Sequence, residues 1–306
     1  MVYNTRTNLD FWVKKVLNLI FNKMKYYIII PAHNEELYIA NTLESVLNQT
    51  LLPTKVIIVN DNSTDATETI LDRVIAKNTI FKKINTQSST LHMPGSKVIN
   101  AFNKGLETID NNYDFLVKLD ADIILPLNYF EKITTIFQNN PNVGVAGGFA
   151  YEQEQDGKWR LNHPMNKDHV RGAFKAYSNK CFTTIGGLKT AMGWDTVDEL
   201  LAQYHNFEIY TDNSLKVKHL RPTGKTYNKK AKLLQGKAMY TMHYGLLITC
   251  IASAKMALKQ KKFRIFFNNL KGFFEAKNNN TPYLVSKEEG VFIRNLRWNK
   301  IKEKLF

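Results

Sequence analysis

Residues 115–126 read FLVKLDADIILP, in which Asp120-Ala121-Asp122 separates two mainly apolar runs. Side chains two residues apart on an extended chain point the same way, so both carboxylates can extend together from the end of one strand. Two carboxylate oxygens at that separation suit a divalent cation that also holds phosphates, such as Mg²⁺ or Mn²⁺. The alternative interpretation is structural, with one aspartate starting a loop and the other capping a helix.

Strands and helices alternate on both sides of this stretch. Mainly apolar runs predict strands at residues 26–30, 56–59 and 115–119, and the segments 80–84, 207–209 and 215–217 are also strand-like. Apolar residues at helical spacing predict helices at residues 36–47, 66–75, 98–106, 129–137 and 195–204. This alternation predicts an α/β fold with a mainly parallel central sheet and helices on both faces.

The positive charge of the chain is concentrated in its last third. Residues 1–214 contain 21 Lys and Arg against 23 Asp and Glu, a net charge of −2. Residues 215–306 contain 21 against 4, a net charge of +17. Such asymmetry predicts that the last third meets an anionic surface, either a membrane or a nucleic acid.

The C-terminal third also has a distinctive apolar pattern. The apolar run at residues 244–254 is shorter than the ~20 residues that a helix needs to cross a bilayer. Basic and aromatic residues then alternate at helical spacing from Lys255 to Phe267. This mixture favours a basic amphipathic helix that lies in the interface of an anionic membrane. A helix pair that packs on the core and keeps a solvated basic face is the alternative.

We divide the chain into three parts: residues 1–24, 25–225 and 226–306. The first part has the spacing of an amphipathic helix that packs on the domain or rests on a membrane. This first part shows no recognisable secretory signal. The two cysteines of the chain, Cys181 and Cys250, have the spacing of neither a disulfide framework nor a CxxC pair. We therefore expect a cytoplasmic protein, peripheral at the inner face of the cell membrane.

Polar residues follow the first two predicted strands. PAHNEE at residues 31–36 follows the first strand, and NDNSTD at residues 60–65 follows the second. Ligands bind outside the carboxyl ends of parallel strands, which places Asn34, Glu35 and Asp61 to meet a substrate. Taken alone, the second cluster is more typical of a turn followed by a helix cap than of a binding site.

The order of these motifs resembles that of the family 2 glycosyltransferases, whose GT-A fold is a nucleotide-sugar-binding α/β domain. The resemblance covers roughly residues 25–220 and includes the Asp-x-Asp motif of Asp120 and Asp122. It is strengthened by VRGA at residues 170–173, IGGL at residues 185–188 and GWDTVDEL at residues 193–200.

This resemblance implies roles for individual residues. Asp61 would contact the nucleobase, while Asp120 and Asp122 would hold the ribose and the metal ion of the donor diphosphate. The metal, Mn²⁺ or Mg²⁺, would take Asp122, Asp120 and the strand-end His219 as ligands. The other donor-binding candidates are Pro31, Ala32, Asn34, Glu35, Lys97 and Ala121.

The catalytic base is less well defined by the motifs. The family usually has a Glu-Asp pair at the start of a helix, and no such pair occurs at that place here. Asp195 is the first candidate, with Trp194 in the position of the Glu, and Asp198 is the second. In an inverting reaction this carboxylate takes the proton of the acceptor hydroxyl as it attacks the anomeric carbon. A metal held by the Asp-x-Asp motif would stabilise the departing diphosphate.

We predict an inverting, hexosyltransferase-like enzyme that uses a UDP- or GDP-linked sugar. Its acceptor would be a hydroxyl of a surface glycan or of a lipid-linked precursor. A sugar nucleotidyltransferase is one alternative, but it would carry a glycine-rich loop after the first strand, and residues 31–36 contain no glycine. A non-catalytic nucleic-acid-binding protein is another, but no RNP, zinc or helix-turn-helix pattern is present, so we expect no nucleic acid partner.

Overall fold

A mixed β-sheet forms the centre of the protein. The computed structural model describes residues 24–88, 95–162, 169–221 and 231–303, and within these ranges the sheet has nine strands. The strands are β1 Tyr26–Ala32, β2 Lys55–Asp61, β3 Phe81–Thr86, β4 Phe115–Leu119, β5 Ile123–Ile124, β6 Val143–Gln153, β7 Trp159–Leu161, β8 Phe174–Ser178 and β9 Glu208–His219.

Helices cover the sheet and form the C-terminal region. Those of the sheet domain are α1 Ile39–Leu47, α2 Thr67–Ile75, α3 Ser96–Leu106, α4 Tyr129–Asn139, α5 Asn179–Thr184 and α6 Trp194–Tyr204. Those of the C-terminal region are α7 Ala231–Thr241, α8 Gly245–Lys259, α9 Arg264–Asn278 and α10 Lys287–Lys302. The predicted α/β fold class and the helical C-terminal region are confirmed.

The strand order is β3-β2-β1-β4-β8-β6-β9-β5, with β7 paired to β6. The predicted parallel pairing is present between β3, β2, β1 and β4, whereas β8 runs antiparallel to β4 and to β6, and the second half of the sheet is mixed. Because β1, β2 and β4 are parallel, their carboxyl ends meet at one edge of the sheet. The polar residues that follow them are thereby gathered in one place.

Helix α3 packs very closely on the parallel half of the sheet. A Cβ atom added to Gly105 would lie 2.6 Å from Cγ2 of Ile29 and 3.0 Å from Cγ2 of Val59. Only a residue without a side chain allows this approach, so Gly105 sets the distance between α3 and strands β1 and β2. The strands beneath are apolar and buried on both faces, as expected for a covered parallel sheet.

Several element boundaries differ from the sequence expectations. Strand β1 continues through Pro31 to Ala32, since its parallel register with β2 extends to the pair of Ala32 and Asn60. Helix α1 begins at Ile39, because a turn first links the Tyr38 amide to the Glu35 carbonyl at 3.0 Å. Of the two short strands predicted at residues 207–209 and 215–217, residues 208–209 and 215–217 belong to the single strand β9.

Two expectations lie partly or wholly outside the described residues. Of the residues 1–24 for which a helix is predicted, only Met24 is among the described residues. The boundary predicted between residues 225 and 226 lies in the gap between 221 and 231. The division of the chain into three parts therefore stays a prediction.

The C-terminal helices contribute to the core and also expose apolar side chains. Helices α7 and α9 touch through their backbones, since a Cβ on Gly236 would lie 1.8 Å from the Asn269 carbonyl oxygen. Ile248 of α8 and Ile293 of α10 are buried in the main core. In the part of the chain that the structure describes, none of the helices has the length and apolar character needed to span a membrane.

Candidate functional site

A cavity of about 1420 Å³ opens at the edge where β1, β2 and β4 end. Its sheet side is lined by candidate residues from several elements, namely Pro31, Ala32, Glu35, Asp61, Lys97, Asp120, Ala121, Asp122, Asp195 and His219. Pockets that bind one small ligand usually measure about 300–1,000 Å³. The cavity therefore has room for two substrates side by side.

Asn34 connects the loops after β1 and β2. Its backbone has the left-handed φ of 55°, which asparagine tolerates better than most residues. Its amide donates to Oγ of Ser63 at 3.0 Å, and its side-chain oxygen accepts from the amide of Thr64 at 2.8 Å. The side chain of Asn34 is thus engaged in joining the two loops, and the structure does not bring it to the cavity wall with the other donor-binding candidates.

Asp61 is a buried residue at the end of β2. One of its carboxylate oxygens accepts from the amide of Ser88 at 2.8 Å, which ties β2 to the segment after β3. Its carbonyl oxygen lies 2.6 Å from Nδ1 of His33. These contacts fix the carboxylate at the cavity wall, where it is suited to accept a hydrogen bond from a ligand.

Lys118 pairs with the first aspartate of the Asp-x-Asp motif. This lysine is almost completely buried in β4, and its ammonium forms an ion pair with the Asp120 carboxylate. The ammonium also lies 5.1 Å from the centre of the Trp194 ring, a cation–π distance. Motif spacing does not predict Lys118 as a site residue. The available signal is a lysine inside an apolar run, two positions before Asp120.

Asp122 lies beside an imidazole and a guanidinium. Oδ2 of Asp122 is 3.3 Å from Nε2 of His219 and 3.9 Å from Nε of Arg221, because β5 and β9 pair Ile123 with His219. Burial alone would lower the pKa of His219, but the hydrogen bond to Asp122 and the nearby carboxylates together raise it above the ordinary value.

Glu35 joins this cluster from the loop after β1. Its carboxylate pairs with the guanidinium of Arg221. Burial raises the pKa of Glu35 to about 7, with a further increase from the charges of Asp122 and Asp120, against the opposing effect of Arg221. A cation bound beside these carboxylates would favour the ionised form of Glu35.

Asp122 and His219 fit a divalent metal that also binds phosphate. In the described ranges, no cluster of three or more His, Cys, Asp or Glu side chains is arranged to hold a metal ion. A carboxylate oxygen and an imidazole nitrogen 3.3 Å apart are nevertheless suitable ligands for Mn²⁺ or Mg²⁺. Mg²⁺ in particular is often bound by one or two carboxylates together with substrate phosphates.

Asp195 lies in the first turn of α6 and lines the cavity. Gly193 precedes the helix with a left-handed φ of 81°. Gly172 allows the helix start to approach, since a Cβ there would lie 2.7 Å from the Trp194 ring and 3.1 Å from Cβ of Asp195. The close contact of Gly172 with Trp194 and Asp195 thus holds the Asp195 side chain at the cavity.

Asp198 lies beneath Asp195 and is 1% exposed. Its two carboxylate oxygens accept from Nζ of Lys175 at 2.9 and 3.0 Å, and the hydroxyl of Tyr177 donates to it at 2.5 Å. Lys175 is completely buried, lies 2.9 Å from Oε1 of Glu199 and donates to the Asp195 carbonyl at 2.5 Å. Of the two candidates for the base, Asp195 faces the cavity and Asp198 belongs to this buried ion network.

The buried lysine stays charged. Burial alone would lower the pKa of Lys175, but the carboxylates of Asp198, Glu199 and Asp195 raise it to about 12. Like Lys118, Lys175 is a lysine within an apolar strand that the motifs do not single out.

The opposite wall of the cavity comes from the C-terminal helices. Its apolar side chains include Met239, Met242, Ile248, Ile251, Ala252 and Ile301. Its charged side chains are Lys255, Arg297, Lys300 and Glu303. The sequence motifs do not predict this wall, since it is formed by the packing of three helices against the sheet domain.

Comparison with known proteins gives a consistent result. The model of the family described as Glycosyl transferase family 2 matches residues 27–192, more than half of the chain. An uncharacterized glycosyltransferase of Haemophilus influenzae is 30% identical over 122 residues, 40% of this chain and 35% of that protein. The minor teichoic acid biosynthesis protein GgaA of Bacillus subtilis is 27% identical over 147 residues, 46% of this chain and 31% of that protein. The chain thus spans about a third of the length of these curated relatives.

Two solved structures resemble the fold. The mannosyltransferase PcManGT from Pyrobaculum calidifontis, solved with GDP-Man and Mn²⁺, has a TM-score of 0.54 and 14% identity, over 93% of this chain and 81% of that chain. Residues 1–349 of S. aureus TarS, solved with UDP-GlcNAc, have a TM-score of 0.55 and 17% identity, over 87% of this chain and 77% of that chain. At these identities the likeness shows the GT-A fold and carries no further conclusion about activity.

Replacing Lys175 with methionine should destabilise the protein strongly. The variant leaves the buried carboxylates of Asp198 and Glu199 without their shared cation, and breaking a buried ion pair costs about 3–5 kcal/mol. Guanidinium unfolding should show this loss in Lys175→Met, and almost none in Lys180→Met, which changes an exposed lysine on the adjoining helix. A loss below about 1 kcal/mol in Lys175→Met would contradict the ion network.

Proposed function

The chain belongs to glycosyl transferase family 2, and we propose that it transfers a sugar from a UDP- or GDP-linked donor to an acceptor hydroxyl with inversion at the anomeric carbon. One observation supports this most directly. Asp61, Asp120, Asp122 and Asp195 come from separate elements, and all four line the same cavity. Carboxylates gathered in this way suit the ribose, metal and proton contacts that the reaction needs.

The donor would bind at the sheet side of the cavity. Asp61 would accept from the nucleobase, and Asp120, with its charge balanced by Lys118, would accept from the ribose. Lys97 and Arg221 also line this wall, where either cation would contact the diphosphate. The two solved neighbours, bound to GDP-Man and to UDP-GlcNAc, support a nucleotide-sugar donor without selecting the base or the sugar.

Asp122 and His219 would hold a divalent metal, with Asp120 near them. Bound Mn²⁺ or Mg²⁺ would offset the negative charge that develops on the leaving diphosphate. The Mn²⁺ in the mannosyltransferase structure supports this assignment.

Asp195 would act as the base. As the acceptor oxygen forms its bond to the anomeric carbon, the bond from that carbon to the diphosphate breaks, and the hydroxyl proton passes to the Asp195 carboxylate. The hydrogen bond from Lys175 reaches the carbonyl of Asp195, which leaves the carboxylate available to the acceptor. Such a positioned base typically contributes about 10²–10⁴-fold to the rate.

The acceptor would belong to a cell-surface glycan or its precursor, and the enzyme would work at the cytoplasmic face of the membrane. The likeness to GgaA supports the first point. The proposed location at the membrane is supported by three exposed apolar side chains around the turn between α8 and α9. These are Leu258, Phe263 and Phe267, which are 66–73% exposed. Lys259, Lys261, Lys262 and Arg264 surround them, a combination suited to an anionic lipid surface.

Donor binding should require both the metal and Asp122. UDP-GlcNAc or GDP-Man with Mn²⁺ should raise the melting temperature, since a ligand at 100 times its Kd adds about 2.7 kcal/mol of stability. EDTA or Asp122→Ala should remove most of this shift. An undiminished shift and undiminished turnover in Asp122→Ala would contradict the metal assignment.

The two candidate bases should separate in a variant comparison. Asp195→Asn should lower kcat of sugar transfer by about 10²–10⁴-fold. The free energy of unfolding should change little, because Lys175 keeps its hydrogen bond to the backbone carbonyl of residue 195 and its ion pairs with Asp198 and Glu199. Asp198→Asn should instead lower the free energy of unfolding by about 1–3 kcal/mol. Full activity in Asp195→Asn would rule out this residue as the base.

Association with anionic lipid should depend on the exposed aromatic residues of the α8–α9 turn. The double variant Phe263→Ser/Phe267→Ser should bind phosphatidylglycerol vesicles at least tenfold more weakly, since each buried Phe side chain contributes about 1.5–3 kcal/mol. Leu127→Ser, at an exposed position of the sheet domain, is the matched control. Equal co-sedimentation of the double variant and Leu127→Ser with phosphatidylglycerol vesicles would contradict this role. So would equal co-sedimentation of the unchanged protein with phosphatidylglycerol and phosphatidylcholine vesicles.

A further inference from the structure

The cavity has two chemically different halves. The sheet half carries Glu35, Asp61, Asp120, Asp122 and Asp195, whereas the helical half is apolar with a cationic border. The donor and its metal account for the acidic half. The helical half is then available to the second substrate.

One face of α8 forms much of the helical half. Ile248, Ile251, Ala252 and Lys255 all line the cavity, and their spacing of three, four and seven residues places them in one stripe. Helix α10 adds Arg297 and Lys300 to the same wall. An apolar surface beside three cations is complementary to a molecule that has both an apolar chain and a negatively charged group. Glu303 also lines this wall, and the cations outnumber it.

The apolar wall continues outside the cavity. Ile251, which lines the cavity, is itself 40% exposed. Leu247 lies four residues before it and Leu258 seven residues after it, on the same side of α8, and both are about two-thirds exposed. A chain longer than the cavity therefore has an apolar path from the interior to the surface.

We propose that the helical half of the cavity is the acceptor site and that the acceptor is a lipid that carries a phosphate or diphosphate group. This inference rests on the proposed sugar transfer and names its acceptor class. The lipid chain packs on Ile251 and Ala252, and the phosphate is held by Lys255, Arg297 and Lys300. The hydroxyl of a sugar on that phosphate then faces Asp195. A purely polar polyol phosphate would leave the apolar side chains of this wall without a partner.

Calorimetry with small probes tests the proposal on the full chain. The probes are farnesyl phosphate, farnesol and glycerol 3-phosphate. Farnesyl phosphate should bind at least tenfold more tightly than either of the others, because it alone combines the apolar chain with the charge. Equal binding of glycerol 3-phosphate would show a site for the phosphate only and overturn the lipid assignment.

Matched variants locate the binding. Ile251→Asp and Lys255→Gln should each weaken farnesyl phosphate binding about tenfold. Leu246→Asp, on a different face of α8, and Lys271→Gln, on the exposed side of α9, should change it less than twofold. Phe263→Ser should also leave it unchanged, which separates the cavity from the lipid-facing turn. Loss of binding in Phe263→Ser and not in Ile251→Asp would overturn the proposal.

Donor binding by the same variants distinguishes this inference from the proposed function. Ile251→Asp and Lys255→Gln should keep the melting-temperature shift with UDP-GlcNAc or GDP-Man and Mn²⁺. A normal donor shift without farnesyl phosphate binding would overturn the acceptor assignment alone. Farnesyl phosphate binding without any donor shift would overturn the proposed sugar transfer, and the acceptor role with it.

Discussion

The buried ammonium of Lys175 is the interaction on which the arrangement of the cavity depends. A charged group removed from water costs several kcal/mol unless partners compensate for it. Asp198 and Glu199 provide two carboxylates 2.9 Å from this ammonium, and the carbonyl of Asp195 accepts a further hydrogen bond from it. The same lysine therefore fixes strand β8, the buried side of α6 and the backbone of the residue that faces the cavity. The carboxylates of Asp198 and Glu199 are engaged by this ammonium one turn beyond Asp195, whereas the Asp195 carboxylate faces the cavity.

The parallel half of the sheet supplies the other requirement. Strands β1, β2 and β4 end at one edge, and side chains distant in sequence become neighbours there. Lys118 and Lys175 each place an ammonium near the Trp194 ring, at 5.1 and 5.9 Å from its centre. Trp194 thus lies between the ion pair of the Asp-x-Asp motif and the ion network of α6. This arrangement connects the proposed donor side of the cavity to the position of the proposed base.

Much of the fold follows from local sequence pattern, because buried strands and amphipathic helices leave strong periodic signals. For this reason the sequence predicts several element boundaries to within one or two residues. They are those of the strands that end near Asp61 and Asp120 and the start of α6 near Asp195. Other features depend on long-range packing that a local pattern does not encode. Asn34 has the spacing of a binding residue, yet its hydrogen bonds join two loops. The apolar wall around Ile251 exists only because α7, α8 and α10 fold back over the sheet domain.

The stereochemistry of the product tests the role proposed for Asp195. In the proposed mechanism Asp195 is the single base on the side opposite the leaving diphosphate, so that one displacement inverts the anomeric carbon. With an α-linked nucleotide-sugar donor, proton NMR of the isolated product should show a β-linked sugar. A product with the α configuration would require a second displacement or attack from the same face, and it would contradict the role given to Asp195.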